Sequence, residues 1–329
     1  RRRSDKGKFQ FRVRGEFLCN RDEPNVCVLD WTRWRWAGEP EFHALAEVLK
    51  ADRQVRDSLG LEHRGGEMLQ PWYAKQYDTK HYGELELEYA FEIGEMPEGT
   101  VYLAGERPEL NHYAINGVAL TSTDINDFWI DDCFKKMQIP AGALRLGRNT
   151  VTVRVSFMRT TNIEALYLVG EFGVKAQGQI CTLTGLPKRI GCENYENYGL
   201  PFYTGCMTYR LTPEQYRGIL GDATDQAERI LLSPASFTGG CVKVSAMGRT
   251  TVLGWEPYEA DVTEAVRAGA SIDVTVVGTR RNVFGPLHQI PKIAGACGPG
   301  NFTTEGAGWT DEYSLIDSGL TGITLRAQV

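Results

Sequence analysis

Most of the short signatures that announce a chemistry are missing from this sequence. None of the eight cysteines (Cys19, Cys27, Cys133, Cys181, Cys192, Cys206, Cys241 and Cys297) belongs to a Cys-x-x-Cys pair. No histidine lies at zinc-ligand spacing from one either, which excludes the common zinc sites. His-Glu-x-x-His, Gly-x-Ser-x-Gly and a P-loop are absent too, removing the zinc-protease, serine-hydrolase and nucleotide-phosphate readings. No apolar run approaches the roughly 18 residues of a membrane span, so no membrane is expected. Positive charge is in deficit: the net charge is −6, whereas a nucleic-acid partner wants a basic face. Also lacking is the alternating strand–helix series of about 250 residues that a (β/α)8 barrel needs. No secretion signal opens the chain, which leans the compartment toward the cytoplasm and the even cysteine count toward buried thiols rather than disulfides.

What is present is a globular chain, 42% hydrophobic over 329 residues, with room for about two domains. The stretch Cys241–His288 sets the plan. Residues alternate about a tight turn at Met247-Gly248-Arg249, as in a hairpin with one buried face. Asp261 or Thr263 can cap one helical turn that Gly269 stops, and the β-branched run Ser271–Val277 follows as a strand. Earlier in the chain, Phe9–Arg14, Glu16–Leu18, Val26–Trp31, Gly83–Ile93, Thr100–Ala104 and Asn149–Phe157 have strand patterns. A further buried strand is expected within Thr161–Val174. Tyr113–Leu120 carries Asn116-Gly117, the strongest short hairpin signal. Glu41–Leu59 has helical spacing through Leu45, Val48, Leu49, Val55 and Leu59. Thr212-Pro213-Glu214-Gln215 is a capping box with Pro at the first helical position. Gly65-Gly66 with Gln70-Pro71-Trp72 marks a boundary, and Lys175–Gly199 reads as a polar bridge.

The plan occurs twice. Tyr89 corresponds to Tyr209, Asn116-Gly117 to Met247-Gly248, Trp129 to Trp255, and Gly147 with its strand to Gly269 with its strand. The offset stays near 120–130 residues, which suits two copies of one β-sandwich with insertions in the loops.

These residues carry a resemblance. The second copy, through Trp255-x-Pro257-Tyr258-x-x-Asp261-Val262-Thr263 and Asn282-x-Phe284-Gly285-Pro286-Leu287-His288, resembles the galactose-binding-like, jelly-roll "sugar-binding" domain of family 2 glycoside hydrolases. The first copy resembles its companion domain, through Trp129-Ile130-Asp131-x-Cys133-Phe134 and Asn162-x-Glu164-Ala165-Leu166-Tyr167-Leu168-x-Gly170-x-Phe172. Gly199-x-Pro201-Phe202-Tyr203-x-Gly205 before a strand is typical of the same C-terminal regions. The likeness runs from about residue 16 to the end and is weak on the sugar. It implies a barrel lying N-terminal to these modules that holds the catalytic carboxylates. The opening Arg1-Arg2-Arg3-Ser4-Asp5-Lys6-Gly7-Lys8, a solvated linker or first edge strand, is in keeping with a cut inside a longer protein.

Candidate sites are aromatic and acidic. Glycoside hydrolysis needs two carboxyls about 5–10 Å apart, and spacing cannot place pairs such as Glu193 with Glu196 or Asp311 with Glu312, so no catalytic residue is assigned. Trp129, Asp131, Trp255, His288, Trp309 and Glu312 are the sugar-binding candidates: indole faces for stacking, polar groups for hydroxyls. The competing reading of Trp129 and Trp255 is core or loop anchoring. For His288 it is loop ordering, and for Trp309 with Tyr313 closure of the sandwich. Trp31, Trp34 and Trp36 could stack a sugar or pack a seam. Asp131 and Asp132 could hold a structural calcium, the one cofactor considered, against exposed carboxylates at a strand end. Gly295-x-x-Gly298-Pro299-Gly300 reads as a mobile loop, and Asn301-Phe302-Thr303 matches a glycosylation sequon.

The expectation is therefore an all-β chain of two tandem galactose-binding-like jelly-roll sandwiches. Residues 1–72 would form a connector with one helix, 73–178 the first sandwich and 179–329 the second. Functionally it is expected to be an ancillary region of a multidomain glycoside hydrolase, with carbohydrate and the upstream catalytic domain as partners. The alternative is a purely structural module that buttresses a barrel and binds no sugar.

Overall fold

A computed structural model describes residues 8–64, 80–121 and 127–328. The boundary expected at 65–72 and the opening residues 1–7 lie outside that range. The described chain is all-β and divides into two compact units. Unit one takes the residues up to Glu23, Pro187–Asn282 and those from Asp317 on; unit two takes Pro24–Leu186 and Val283–Ile316.

Unit two is a sandwich. One sheet runs, in order, Val118–Leu120, Asn111–Ile115, Gly147–Met158, His81–Ile93, Ile180–Thr184, Gly173–Gln177. Along His81–Ile93 the residues Leu85, Leu87, Tyr89, Phe91 and Ile93 are buried and their neighbours are not, the period-2 signature of one covered face. Antiparallel pairing sets Val155 opposite Leu85, Val153 opposite Leu87 and Val151 opposite Tyr89. These cross-strand pairs share the covered face, and each large side chain fully buried there stabilises by about 1.5–3 kcal/mol. The second sheet runs Phe128–Trp129, Asp131–Gln138, Glu98–Glu106, Leu166–Glu171, Asn25–Leu29. Asn25–Leu29 ends this sheet yet is buried at every position, because His81–Ile93 and Ile180–Thr184 lie against it.

Unit one repeats the arrangement. One sheet runs Arg249–Leu253, Cys241–Ala246, Ile272–Val277, Cys206–Leu211, with Asn20–Arg21 added at the end. The other runs Ala260–Asp261, Arg229–Pro234, Ile323–Gln328, Lys8–Val13. The shared strands follow the same order along the sheets and along the chain in both units, while Phe128–Trp129, Gly173–Gln177 and Ile180–Thr184 are additions of unit two. Both hairpin turns have positive φ at both central residues (Asn116 49° and Gly117 83°; Met247 51° and Gly248 75°), the type I′ geometry that follows strand twist. The ladder Ile115–Val151–Tyr89 has its counterpart in Val244–Val274–Tyr209. The duplication expected from sequence is thus present as topology.

Local details follow from the residues. The Thr212 and Gln215 side chains satisfy each other's backbone N–H groups, starting the helix Pro213–Leu220. Gly269, at φ 65°, stops the turn Thr263–Ala268, and Asp261 accepts from the Thr263 N–H at 3.0 Å. No disulfide joins any two of the eight cysteines.

Three expectations differ from what is found. The helix is Val48–Ser58, not 41–59: Ala46–Glu47 pairs with Trp31–Thr32, and the Glu47 side chain caps the helix by accepting from the N–H groups of Leu49 and Lys50. Its buried face carries an ion pair, Asp52 with Arg56 at 2.8 Å, as well as Val48, Ala51 and Val55. Arg56 also donates to the carbonyls of Arg159 and Thr161, so the buried guanidinium is satisfied. The bridge 175–199 is partly a hairpin, because Cys181 and Leu183 are buried when Ile180–Thr184 joins the sheet in parallel with His81–Ile93. Finally, strand pairing does not follow linear boundaries at 72 and 178. Lys8–Val13 pairs with Ile323–Gln328, Asn25–Leu29 pairs with Leu166–Glu171, and position 178 is the turn of the hairpin just named.

Candidate functional site

Unit two holds a cavity of about 400 Å3. Its position follows from where the Asn25–Leu29 strand ends. Asp30 comes next, before the chain enters the Trp31–Trp36 strand, and its carbonyl accepts from the Val48 N–H at 2.8 Å. That bond ties the cavity floor to the start of the helix, where Glu47 sits. Opposite, the segment Phe284–Gln289 is stitched to 308–314 by Thr310 N–H to the His288 carbonyl (2.9 Å) and Ser314 N–H to the Leu287 carbonyl (2.6 Å). Phe134, Tyr167 and Phe284 form an aromatic wall; Phe134 and Phe284 stack at 5.2 Å.

His288 is 4% exposed and Asp30 4%. His288 Nε2 faces Asp30 Oδ2 at 3.1 Å, and Nδ1 faces the carbonyls of Thr310 (3.1 Å) and Glu312 (3.2 Å). A ring nitrogen facing a carboxylate or carbonyl must carry the hydrogen, so the surroundings suit the doubly protonated imidazolium. Burial opposes that charge, but the Asp30 hydrogen bond and charge, with Glu47 and the Glu312 carbonyl, outweigh it and raise the His288 pKa above the ordinary value. The Tyr313 hydroxyl donates to the other Asp30 oxygen at 2.7 Å. Glu47 is buried beside this pair, and burial, then the Asp30 charge, push its carboxyl up to about 8. The floor therefore holds His288 against the Asp30 side chain, next to a Glu47 that stays protonated at neutral pH. Burial and the charge of Glu164 raise Glu106 as well, against the pull of Arg64 and Arg107. Such a set can hold a polyol: aromatic faces for C–H groups, carboxyls and amides for hydroxyls.

Of the six residues singled out, His288 and Trp309 line the cavity, their rings 4.9 Å apart. Trp309 Nε1 donates to Asp311 at 2.9 Å. Glu312 contributes its carbonyl to His288, while its carboxylate points away and accepts from the Gly178 N–H at 2.9 Å. Trp129 is buried one layer behind the aromatic wall, against Tyr167 at 5.0 Å and Phe284 at 5.8 Å, so it anchors the wall rather than offering a face. Trp255 belongs to unit one and is 78% exposed in the bend after Arg249–Leu253, so the two repeat-related tryptophans differ in burial. Asp131 and Asp132 are exposed consecutive positions of one strand, which point to opposite faces. Asp131 accepts from the Cys133 N–H, which lowers its pKa, and Asp132 pairs with Lys135. Among the described residues no group of three or more His, Cys, Asp or Glu side chains could hold a metal ion. Trp31, Trp34 and Trp36 are spent on packing within the unit: against His288 and Trp309, on His43, and on Phe157 respectively.

Asp30, Glu47, Glu106 and Glu164 are the carboxyl residues of the cavity, and sequence patterning singled out none of them for this site. Asp30 alone left a signal: a carboxylate between a fully buried strand and a tryptophan needs a partner, and only the fold says that it is His288.

No protein-family model matches this sequence, and no curated protein matches it. Among solved structures, similarity is found to β-glucuronidase from Ruminococcus gnavus. With C6-substituted uronic isofagomine bound, the TM-score is 0.31 at 11% identity, over 79% of this chain and 40% of that one. With D-glucuronic acid the values are 0.27 and 10%, over 84% and 41%. The chain spans about two-fifths of the length of those proteins. Likeness at this level carries no argument, and the fold rests on the strand pairing above.

Proposed function

We propose that this chain is an accessory, carbohydrate-recognising region of a larger glycoside hydrolase, built from two galactose-binding-like sandwiches. The cavity of unit two is its sugar site, and the catalytic carboxylates lie outside the chain. The supporting observation is the cavity itself: about 400 Å3, walled by Phe134, Tyr167, Phe284 and Trp309 and floored by polar groups. That volume and mixture suit one or two sugar rings. The residues resembling family 2 sugar-binding domains, together with the duplicated strand order, supply the glycosidase context.

The test is titration with mono- and oligosaccharides, followed by tryptophan fluorescence and calorimetry. A saturable change is expected, weakened about tenfold or more by Trp309→Ala, in line with about 1.4 kcal/mol or more of lost stacking. Aryl glycosides should not be turned over by the chain alone. A flat response to every sugar would leave the packing module, a reading favoured by the internally satisfied ring of His288.

A further inference from the structure

We infer that the unit-two cavity prefers an ammonium-bearing sugar over a neutral one and turns uronates away. This rests on reading the cavity as a sugar site. Its lining contains four carboxyl residues, Asp30, Glu47, Glu106 and Glu164, and neither lysine nor arginine. His288, the one basic side chain of the lining, has both ring nitrogens turned to Asp30 and to backbone carbonyls, which leaves it no donor for an incoming carboxylate. The arginines that act on the lining carboxyls stand outside it. Arg64 bonds Glu164 at 2.8 Å and Asp52 at 3.1 Å, and Arg107 acts on Glu106. Pairing therefore accounts for Asp30, with His288, and for Glu164, with Arg64. Among the described residues neither Glu106 nor Glu47 has a side-chain cation within ion-pair distance, and since Glu47 is held protonated the uncompensated charge falls to Glu106.

A second, independent observation points the same way. Gln289, half-buried, lines the cavity, and its Oε1 has no hydrogen-bond partner among the described residues. The Tyr313 hydroxyl is committed to Asp30 and the Trp309 N–H to Asp311. The cavity is thus rich in acceptors and poor in donors. A ligand bringing N–H groups and positive charge matches it, whereas a uronate would set a carboxylate among carboxyls with nothing to compensate it.

The experiment titrates the intact chain with glucosamine, glucose and glucuronate, and with the galactose counterparts of all three. Calorimetry at about pH 6 keeps the amine charged. Glucosamine should bind about tenfold or more tighter than glucuronate, with glucose between, since about 1.4 kcal/mol of charge discrimination is tenfold. Raising the salt from about 0.05 M to 0.5 M should narrow the gap. Glu106→Gln should narrow it too, by weakening glucosamine and admitting glucuronate. Glucuronate binding as tightly as glucosamine while glucose also binds would overturn the charge preference and leave the sugar site standing. A gap that persists unchanged in Glu106→Gln and at high salt would overturn its electrostatic origin. Binding of none of the six would remove the site and the preference together.

Discussion

His288 and Glu47 titrate while buried against Asp30, and their protons are coupled to folding. The folded-state value of Glu47, about 8, lies above its ordinary 4.5. Between those values the folded chain holds a proton that the unfolded chain has released, so stability falls as pH rises from about 4.5 to 8. His288 acts in the same direction. Its folded pKa is raised above 6.5, so its contribution is complete below 6.5 and is lost as pH climbs through the folded value. Urea denaturation between about pH 5 and 8.5 should show stability declining with pH. Glu47→Gln keeps an acceptor for the helix cap but removes the titration, so its profile should be flatter and about 1–3 kcal/mol more stable at the alkaline end. A variant profile as steep as the parent's would mean that Glu47 does not carry the dependence. Little of this was legible in the sequence. Spacing along one strand or helix cannot show that residues 30, 47 and 288 meet. His288 stands out in the sequence for its place after Gly285-Pro286-Leu287, and Trp309 for its neighbours, because local context is all that a sequence displays.

The paired elements were the most legible. Asn116-Gly117 and Met247-Gly248 announce hairpins because few residues accept the left-handed pair of φ values, and both turns have them. They are not equally good. Asn tolerates positive φ, whereas Met at φ 51° is strained by its side chain. Met247→Asn should therefore stabilise unit one by about 0.5–1 kcal/mol, and Gly248→Ala should destabilise it by about 1 kcal/mol or more. Scanning calorimetry would check both, and equal melting of Met247→Asn and the parent would refute the strain argument. Periodicity overextended the helix because Ala46–Glu47 has a strand partner in Trp31–Thr32 that no helical wheel can reveal. The equivalence of Trp129 and Trp255 held for order along the chain but not for burial. Trp129 has an aromatic wall to support, while Trp255 lies in a bend exposed to solvent.

At the scale of the whole molecule, duplication was readable and interleaving was not. Repeats show as recurring patterns, but which distant strand fills a sheet edge is decided by pairing between segments that share no pattern. Unit one draws Lys8–Val13 and Asn20–Arg21 from the start of the chain. A fragment of residues 187–328 therefore leaves bare one edge of Ile323–Gln328 and one of Cys206–Leu211. It is expected to self-associate in size-exclusion chromatography, and a peptide spanning residues 8–23 should return it to a monomer. A fragment that is monomeric and cooperatively folded by itself would show those strands to be dispensable.

The pairing of Lys8 with Gln328 also bears on how the molecule is made. During synthesis Lys8–Val13 emerges long before its neighbour exists. Unit two can close once residues up to 316 are out, whereas unit one must wait for Ile323–Gln328. Until then its earliest strand travels with an open edge, so the burden of protection in the cell should fall on this unit.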